Sequence, residues 1–207
     1  MIKLEDYSNP FNAIRDFEQE ICKFTGAPYC VTTNACSHAI EIAFRLAHNG
    51  TKIYFPACTY ISVPMTFKKI CQSYELVDRV WQNYYQFDNS NIWDYARHFE
   101  KDMYVSGQIQ CVSFGRTKPL EIGFGGCLLT DDLQLYQRAS RMRSDGRDLF
   151  RYQNWEDQDE FELGFHYTLR PEECVIGLNK LISGQFTEQL DKYFKYPDCR
   201  KIKFLNH

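Results

Sequence analysis

The sequence has 207 residues, of which 44% are hydrophobic and 25% are charged, and these are ordinary values for a soluble globular protein. A formal net charge of -3 gives no electrostatic reason to expect binding of nucleic acid or of an anionic membrane. No apolar run reaches the roughly 20 residues that a membrane-spanning helix needs, and the N-terminal residues lack the apolar core of a signal peptide. We therefore expect a cytoplasmic protein with a single domain over residues 1–207.

The nine cysteines are scattered at wide intervals, and an odd, irregular set is a poor framework for disulfides. No Cys-x-x-Cys pair is present, so we expect no metal site. The thiols are expected to act as small buried hydrophobes in a reducing compartment.

In chain order, the first part of the sequence predicts helices that alternate with short apolar strands. A cap residue and a proline, Asn9-Pro10, begin a run of apolar residues at helical spacing, and Gly26 ends it. Strands are predicted over 29–32, 53–55 and 74–77, and helices over 37–48 and 61–70. This alternation is typical of βαβ units, and it predicts an α/β fold with a mostly parallel sheet.

The second part predicts two apolar strands, 110–114 and 126–129, joined by a polar loop that contains glycines. A capped helix follows and runs to about Arg143, then an acidic loop over 156–162 and a helix that begins at Pro171. An amphipathic helix over 186–194 and a basic, extended tail from Tyr196 complete the prediction.

Three places could carry chemistry. In the first, small polar residues lead from a strand into the helix at Ser37, where unpaired N–H groups and the positive end of the helix dipole suit a phosphate. In the second, Lys118 lies in a loop beside glycines, where a lysine can have a lowered pKa and act as a nucleophile. In the third, Asp94 ends an apolar stretch and could hold a protonated ring nitrogen. Taken singly, each has a plainer interpretation: a helix cap, a surface lysine and a capping or ion-paired aspartate.

The order of these features resembles that of fold-type-I pyridoxal 5′-phosphate (PLP) enzymes and, more narrowly, of the DegT/DnrJ/EryC1/StrS sugar aminotransferase family. The resemblance spans most of residues 15–182, and the lysine segment is its most specific part. The segments that carry it are Phe17-Glu18, Phe24 to Gly26, Ala35 to Ile40, Phe55 to Tyr60, Leu76 to Asp78, Ile92 to Arg97, Ser113 with Lys118, Gly125-Gly126, Thr130-Asp131, Asp145 to Arg147, Gly164 to Tyr167 and Pro171-Glu172.

The resemblance implies that Lys118 is the catalytic residue, which would hold PLP as a Schiff base and then move a proton between substrate and cofactor. It implies that Asp94 pairs with the ring nitrogen and that Tyr60 stacks on the ring.

The remaining residues implied at the cofactor are Ser113, which would bind the phosphate together with the N–H groups of Ser37 and His38, and also Arg97 and His166. Arg97 stands where the family has a glutamine. His166 matches a family asparagine that usually reaches the cofactor of the neighbouring subunit, so a homodimer is implied.

The implied fold is the truncated large domain of a PLP-dependent transferase, a three-layer α/β sandwich with a mostly parallel sheet, with residues 184–207 as a remnant of the small domain. The implied activity moves an amino group from an amino acid such as glutamate to a nucleotide-linked keto-sugar, in surface polysaccharide synthesis.

The sequence also departs from the family. The stretch between Asp78 and Asp94 is too short for the usual strand–helix–strand unit, and Cys36 replaces a glycine in the phosphate turn. These changes favour a second hypothesis, a binding or scaffold protein that has lost turnover. A sugar dehydratase is a third hypothesis, but that branch of the family has histidine in place of the lysine, and Lys118 argues against it.

Overall fold

The computed structural model describes residues 1–150, 154–187 and 196–206, and its elements largely follow the hydrophobic pattern of the sequence. The helices are α1 (Asn12–Thr25), α2 (Cys36–Ala47), α3 (Ser62–Lys69), α4 (Leu133–Arg143) and α5 (Pro171–Ser183). The strands are β1 (Tyr29–Thr33), β2 (Ile53–Pro56), β3 (Tyr74–Val77), β4 (Tyr85–Gln86), β5 (Ile92–Asp94), β6 (Ile109–Ser113) and β7 (Gly126–Thr130). Within the described ranges, no helix is long and apolar enough to cross a membrane.

The helix boundaries follow the capping signals in the sequence. Gly26 ends α1 in the left-handed conformation, with φ 79°, which a residue without a Cβ adopts freely. The carboxylate of Asp132 accepts hydrogen bonds from two N–H groups in the first turn of α4. Pro171 is the first residue of α5, where its missing N–H group is not needed. The predicted starts of α4 and α5 are therefore confirmed.

The sheet is mixed, and the prediction of a mostly parallel sheet was wrong. The five-stranded sheet has the order β1-β7-β6-β5-β4, and only its β5–β6 pair is parallel. Strands β2 and β3 form a separate parallel pair, and an antiparallel bridge between Tyr54 and Asp88 lies between the two sheets. The connections β4–β5 and β6–β7 contain no helix, whereas a parallel neighbour needs a crossover connection of a dozen or more residues, usually helical.

Helices pack on both faces of the five-stranded sheet. Along β7, Cys127 and Leu129 join the core formed with α1 and α5, whereas Leu128 joins the core formed with α2, α3 and α4. Because both faces are covered, the strand is buried along its whole length. The fold is therefore α/β, as predicted.

A buried ion pair joins α1 to α4. The guanidinium of Arg143 is completely buried, and it donates hydrogen bonds to the carboxylate of Glu18 and, at 2.7 Å, to the carbonyl oxygen of Thr32 in β1. Burial of the charges is tolerated because each has a partner of opposite sign. These contacts hold β1 in place relative to both helices.

The end of the chain differs from the prediction. Of the amphipathic helix predicted over 186–194, residues 186 and 187 are not helical and residues 188–194 lie outside the described ranges. The tail is not extended but forms two 3-10 turns, Cys199–Lys201 and Lys203–Asn206. Asp198 begins the first turn by accepting a hydrogen bond from a backbone N–H, and the buried Cys199 donates its own N–H to Ala57, 2.9 Å away. The described cysteines are all free thiols.

Candidate functional site

A cavity of about 640 Å³ opens where β5, β6 and the start of α2 meet. Six of the eight site residues predicted from the sequence line this cavity: Ser37, Tyr60, Asp94, Arg97, Ser113 and Lys118. They come from separate elements, so the fold brings together side chains that lie far apart in the sequence.

Asp94 is the last residue of β5, and its carboxylate is held in place from two sides. The hydroxyl of Tyr85 donates to Oδ2 at 2.8 Å, and the N–H of Ala96 donates to Oδ1 at 2.8 Å. Tyr85 also shares a 2.8 Å hydrogen bond with Thr59. Burial raises the pKa of Asp94, while the two hydrogen bonds and the nearby charge of Lys118 act in the opposite direction. The result is a fixed carboxylate at the cavity wall.

Lys118 lies in the loop that connects β6 to β7. Burial lowers the pKa of its ammonium group, and the charge of Arg97 lowers it further, whereas the charge of Asp94 opposes the shift. Among the residues that the structure describes, none accepts a hydrogen bond from Nζ. A partly desolvated amine that faces a cavity is well placed to lose its proton and act as a nucleophile.

The start of α2 forms another wall of the cavity. Helix α2 begins after Ala35 without a side-chain cap, and the hydroxyl of Ser37 instead donates to the hydroxyl of Ser62 at 2.7 Å. The interpretation of Ser37 as a plain helix cap was therefore wrong. A Cβ on Gly126 would lie 2.6 Å from the nitrogen of Cys36, so glycine is what lets the helix start lie against β7.

His38 and His166 do not line the cavity. The His38 ring stacks on Tyr167, with 3.7 Å between the ring centres, and the backbone N–H of His38 donates to the carbonyl oxygen of Ala35. The side chain of His166 is 87% exposed, and its Nδ1 atom lies 3.1 Å from Oδ2 of Asp145. The backbone of His166 pairs with that of Ser144. The predicted contact of His166 is with the cofactor of a second subunit and stays a prediction.

Sequence reasoning missed Tyr85, Trp81 and Tyr196. The ring of Tyr196 forms part of the cavity wall, stacked on Trp81 at 6.0 Å and set edge-on to Tyr60 at 6.1 Å. The alternation of Tyr85 and Phe87 is a weak strand signal that could have revealed Tyr85. No local pattern could place Tyr196, because its partners come from distant parts of the chain.

Comparison with known proteins identifies the family. The model of the DegT/DnrJ/EryC1/StrS aminotransferase family matches residues 2–92 and 95–192, which is most of the chain. The chain belongs to the DegT/DnrJ/EryC1/StrS aminotransferase family. The resemblance found in the sequence is thus confirmed, and PLP is the cofactor to which this membership points. A search of curated proteins finds no match.

Several solved structures have a similar fold. A DegT DnrJ EryC1 StrS aminotransferase from Brucella abortus shares 14% identity at a TM-score of 0.65, over 82% of this chain and 58% of that protein. NtdA from Bacillus subtilis with bound cofactor PMP shares 16% identity at a TM-score of 0.65, over 82% and 47%. A variant of GDP-4-keto-6-deoxymannose-3-dehydratase (ColD) with bound GDP-perosamine shares 14% identity at a TM-score of 0.64, over 83% and 61%. The chain spans less than two thirds of the length of each.

The residues around the cavity fit the cofactor of this aminotransferase family. Asp94 offers a buried carboxylate for a protonated ring nitrogen, and Lys118 offers an amine for an aldehyde. The start of α2, with Ser113 close by, offers N–H and hydroxyl donors for a phosphate. Within the described ranges, no group of three or more His, Cys, Asp or Glu residues could hold a metal ion.

Proposed function

We propose that this chain is a PLP-dependent aminotransferase that moves an amino group from an amino acid such as glutamate to a nucleotide-linked keto-sugar, in surface polysaccharide synthesis. The observation that carries the proposal is that Lys118 and Asp94 face one cavity beside the start of α2. Family membership supports the reaction type, and the cavity of about 640 Å³ has the size of a cofactor and substrate site.

Lys118 and Asp94 have different tasks in this proposal. PLP bound in the cavity supplies an electron sink for negative charge at the substrate carbon that carries the nitrogen. Asp94 holds the proton on the ring nitrogen, and the donors from Tyr85 and Ala96 keep its carboxylate in position. Nζ of Lys118 accepts the proton from the α-carbon of the donor, and its lowered pKa favours the unprotonated form that this step needs.

The phosphate is assigned to the wall of the cavity that the start of α2 forms. Ser113 and the N–H groups at the start of α2 would hold it, because the positive end of the helix dipole favours an anion. Tyr60 lines the same cavity and would pack against the ring. The backbone N–H of His38 donates to the carbonyl oxygen of Ala35 in the first turn of α2. His38 would therefore contribute to phosphate binding as part of that turn and not through its ring.

Residues 184–207 are proposed to be a remnant of the small domain. Their described part supplies Tyr196 to the cavity wall, and Cys199 bonds to Ala57 just after β2. A homodimer is proposed because the exposed His166 would reach a partner's cofactor.

A binding protein without turnover is the alternative function. It is favoured by Cys36, whose side chain lines the cavity at the start of α2. Burial raises the pKa of this thiol, so an uncharged sulfur atom takes up space beside the proposed phosphate position.

The visible spectrum of the protein with added PLP tests the proposal. We expect an absorbance band from lysine-bound PLP in the wild type and in Lys101→Ala, an exposed control, and no band in Lys118→Ala. Glutamate should then convert the band to that of the amine form, and a nucleotide-linked keto-sugar should restore it. No band in the wild type would contradict the proposal, and a band that glutamate leaves unchanged would favour the alternative.

A further inference from the structure

The charges that line the cavity are unbalanced. Two arginines, Arg97 and Arg116, face it together with Lys118, whereas Asp94 is the one carboxylate among the described lining residues. An excess of positive charge in a cleft favours anionic ligands. The phosphate assigned above lies at the start of α2, so the arginines point to a second anion.

The turn after β5 directs Arg97 into the cavity. Oδ1 of Asp94 accepts the N–H of Ala96, and the carbonyl oxygen of Tyr95 accepts the N–H of His98 at 2.9 Å, so the chain folds back at this point. The guanidinium carbon of Arg97 then lies 6.0 Å from the centre of the Tyr196 ring, which limits the directions that the side chain can take.

Arg97 is half-buried and lines the same cavity as Lys118. Its positive charge contributes to the lowered pKa of Lys118. Arg116, in contrast, is exposed to solvent. The two arginines therefore differ in how far they are withdrawn from solvent.

The two substrates carry their anions at different distances from the reacting atom. In an amino acid, the carboxyl carbon lies only about 2.5 Å from the amino nitrogen that must approach the site of Lys118. In a nucleotide-linked keto-sugar, the diphosphate is separated from the carbonyl carbon by several bonds. A cation beside the lysine therefore matches the donor's carboxylate better than it matches the diphosphate.

We propose that the guanidinium of Arg97 binds the α-carboxylate of the amino-acid donor. A guanidinium presents parallel N–H groups along its edge, and a carboxylate accepts two of them at once, which fixes direction as well as charge. When the carboxylate is bound in this way, the donor's amino group is held toward Lys118. The inference rests on the proposed function and makes Arg97 a residue that determines donor specificity.

Donor titrations of the PLP-loaded protein test this inference. L-glutamate is compared with 4-aminobutanoate, which is the same molecule without the α-carboxylate, in the wild type, Arg97→Gln, Arg97→Lys and Lys101→Gln. Lys101 is the control because it is exposed and is not among the residues that line the cavity. We expect Arg97→Gln to weaken the apparent affinity for glutamate at least tenfold and to leave that for 4-aminobutanoate within twofold. Arg97→Lys should recover part of the loss, and Lys101→Gln should change glutamate affinity less than threefold.

Several results would overturn the inference: unchanged glutamate affinity in Arg97→Gln, an equal loss for both amines, or an equal loss in Lys101→Gln. Loss of affinity for a nucleotide diphosphate alone would assign Arg97 to the acceptor and would also overturn it. If the wild type forms no PLP band, the proposed function fails, and titration of the cofactor-free protein with 2-oxoglutarate decides about Arg97. Binding that Arg97→Gln weakens tenfold supports the carboxylate site, and equal binding refutes it.

Discussion

Replacing Gly126 with alanine should disturb the cofactor site through the backbone. The new Cβ would lie 2.5 Å from the carbonyl oxygen of Val112 and 2.6 Å from the nitrogen of Cys36, whereas ordinary contacts begin at 3.4 Å. These are backbone atoms, so no side chain can rotate away. The start of α2 must therefore move from β7 by roughly 0.8 Å, which is large for hydrogen bonds that tolerate only about 2.7–3.2 Å. We expect the free energy of unfolding to fall by roughly 1–3 kcal/mol, the usual cost of overpacking.

Gly115→Ala is the matched control, because a Cβ there would meet only the Ser113 hydroxyl at an ordinary 3.7 Å. Urea denaturation measures the stability of both variants, and a titration followed by absorbance measures their affinity for PLP. We expect Gly126→Ala to bind PLP at least tenfold more weakly than the wild type and Gly115→Ala to keep wild-type stability. A Gly126→Ala variant with wild-type stability and PLP affinity would refute the role assigned to the start of α2.

Three further predictions concern buried charges. Glu18→Gln should lower the free energy of unfolding by roughly 3–5 kcal/mol, as measured by urea denaturation, because it leaves Arg143 buried without its partner. The double variant Glu18→Gln, Arg143→Met should lose less stability, and equal losses in the single and double variants would argue against the ion pair. Tyr85→Phe removes a hydrogen bond that lowers the pKa of Asp94, so the pKa of Asp94 should rise in the variant. Donor turnover needs the ionised carboxylate, so as the pH falls the variant should lose turnover at a higher pH than the wild type. A pH profile that does not shift would count against this link. The rate of PLP attachment to Lys118 should rise with pH and level off below the ordinary lysine value of 10.5, whereas a plateau reached only above that value would contradict the lowered pKa.

Much of the fold could be predicted from local patterns. Helix α1 shows its apolar spacing and its glycine stop, and α5 begins at a proline, so both were found from single segments. The direction of the strands could not be found in this way. It depends on whether a connection contains a helix that crosses the sheet, and the loop between β6 and β7 does not.

Some residues of the site could likewise be predicted from the sequence, whereas others depend on contacts between distant parts of the chain. Lys118 and Asp94 were marked by the resemblance to a family, and the structure places both at one cavity. Tyr196 could not be anticipated, because its position at the cavity depends on where residues 196–206 dock. Neither could the hydrogen bond from Ser37 to Ser62, which joins two helices through side chains that give no periodic signal.

The central claim is that Lys118 is the residue that holds PLP. Borohydride reduction of the PLP-loaded protein, followed by peptide mass spectrometry, tests it directly, because reduction makes the link between lysine and cofactor permanent. The account predicts a phosphopyridoxyl group on the peptide that contains Lys118 and on no other lysine. Incorporation at a different lysine, or no incorporation at all, would contradict it.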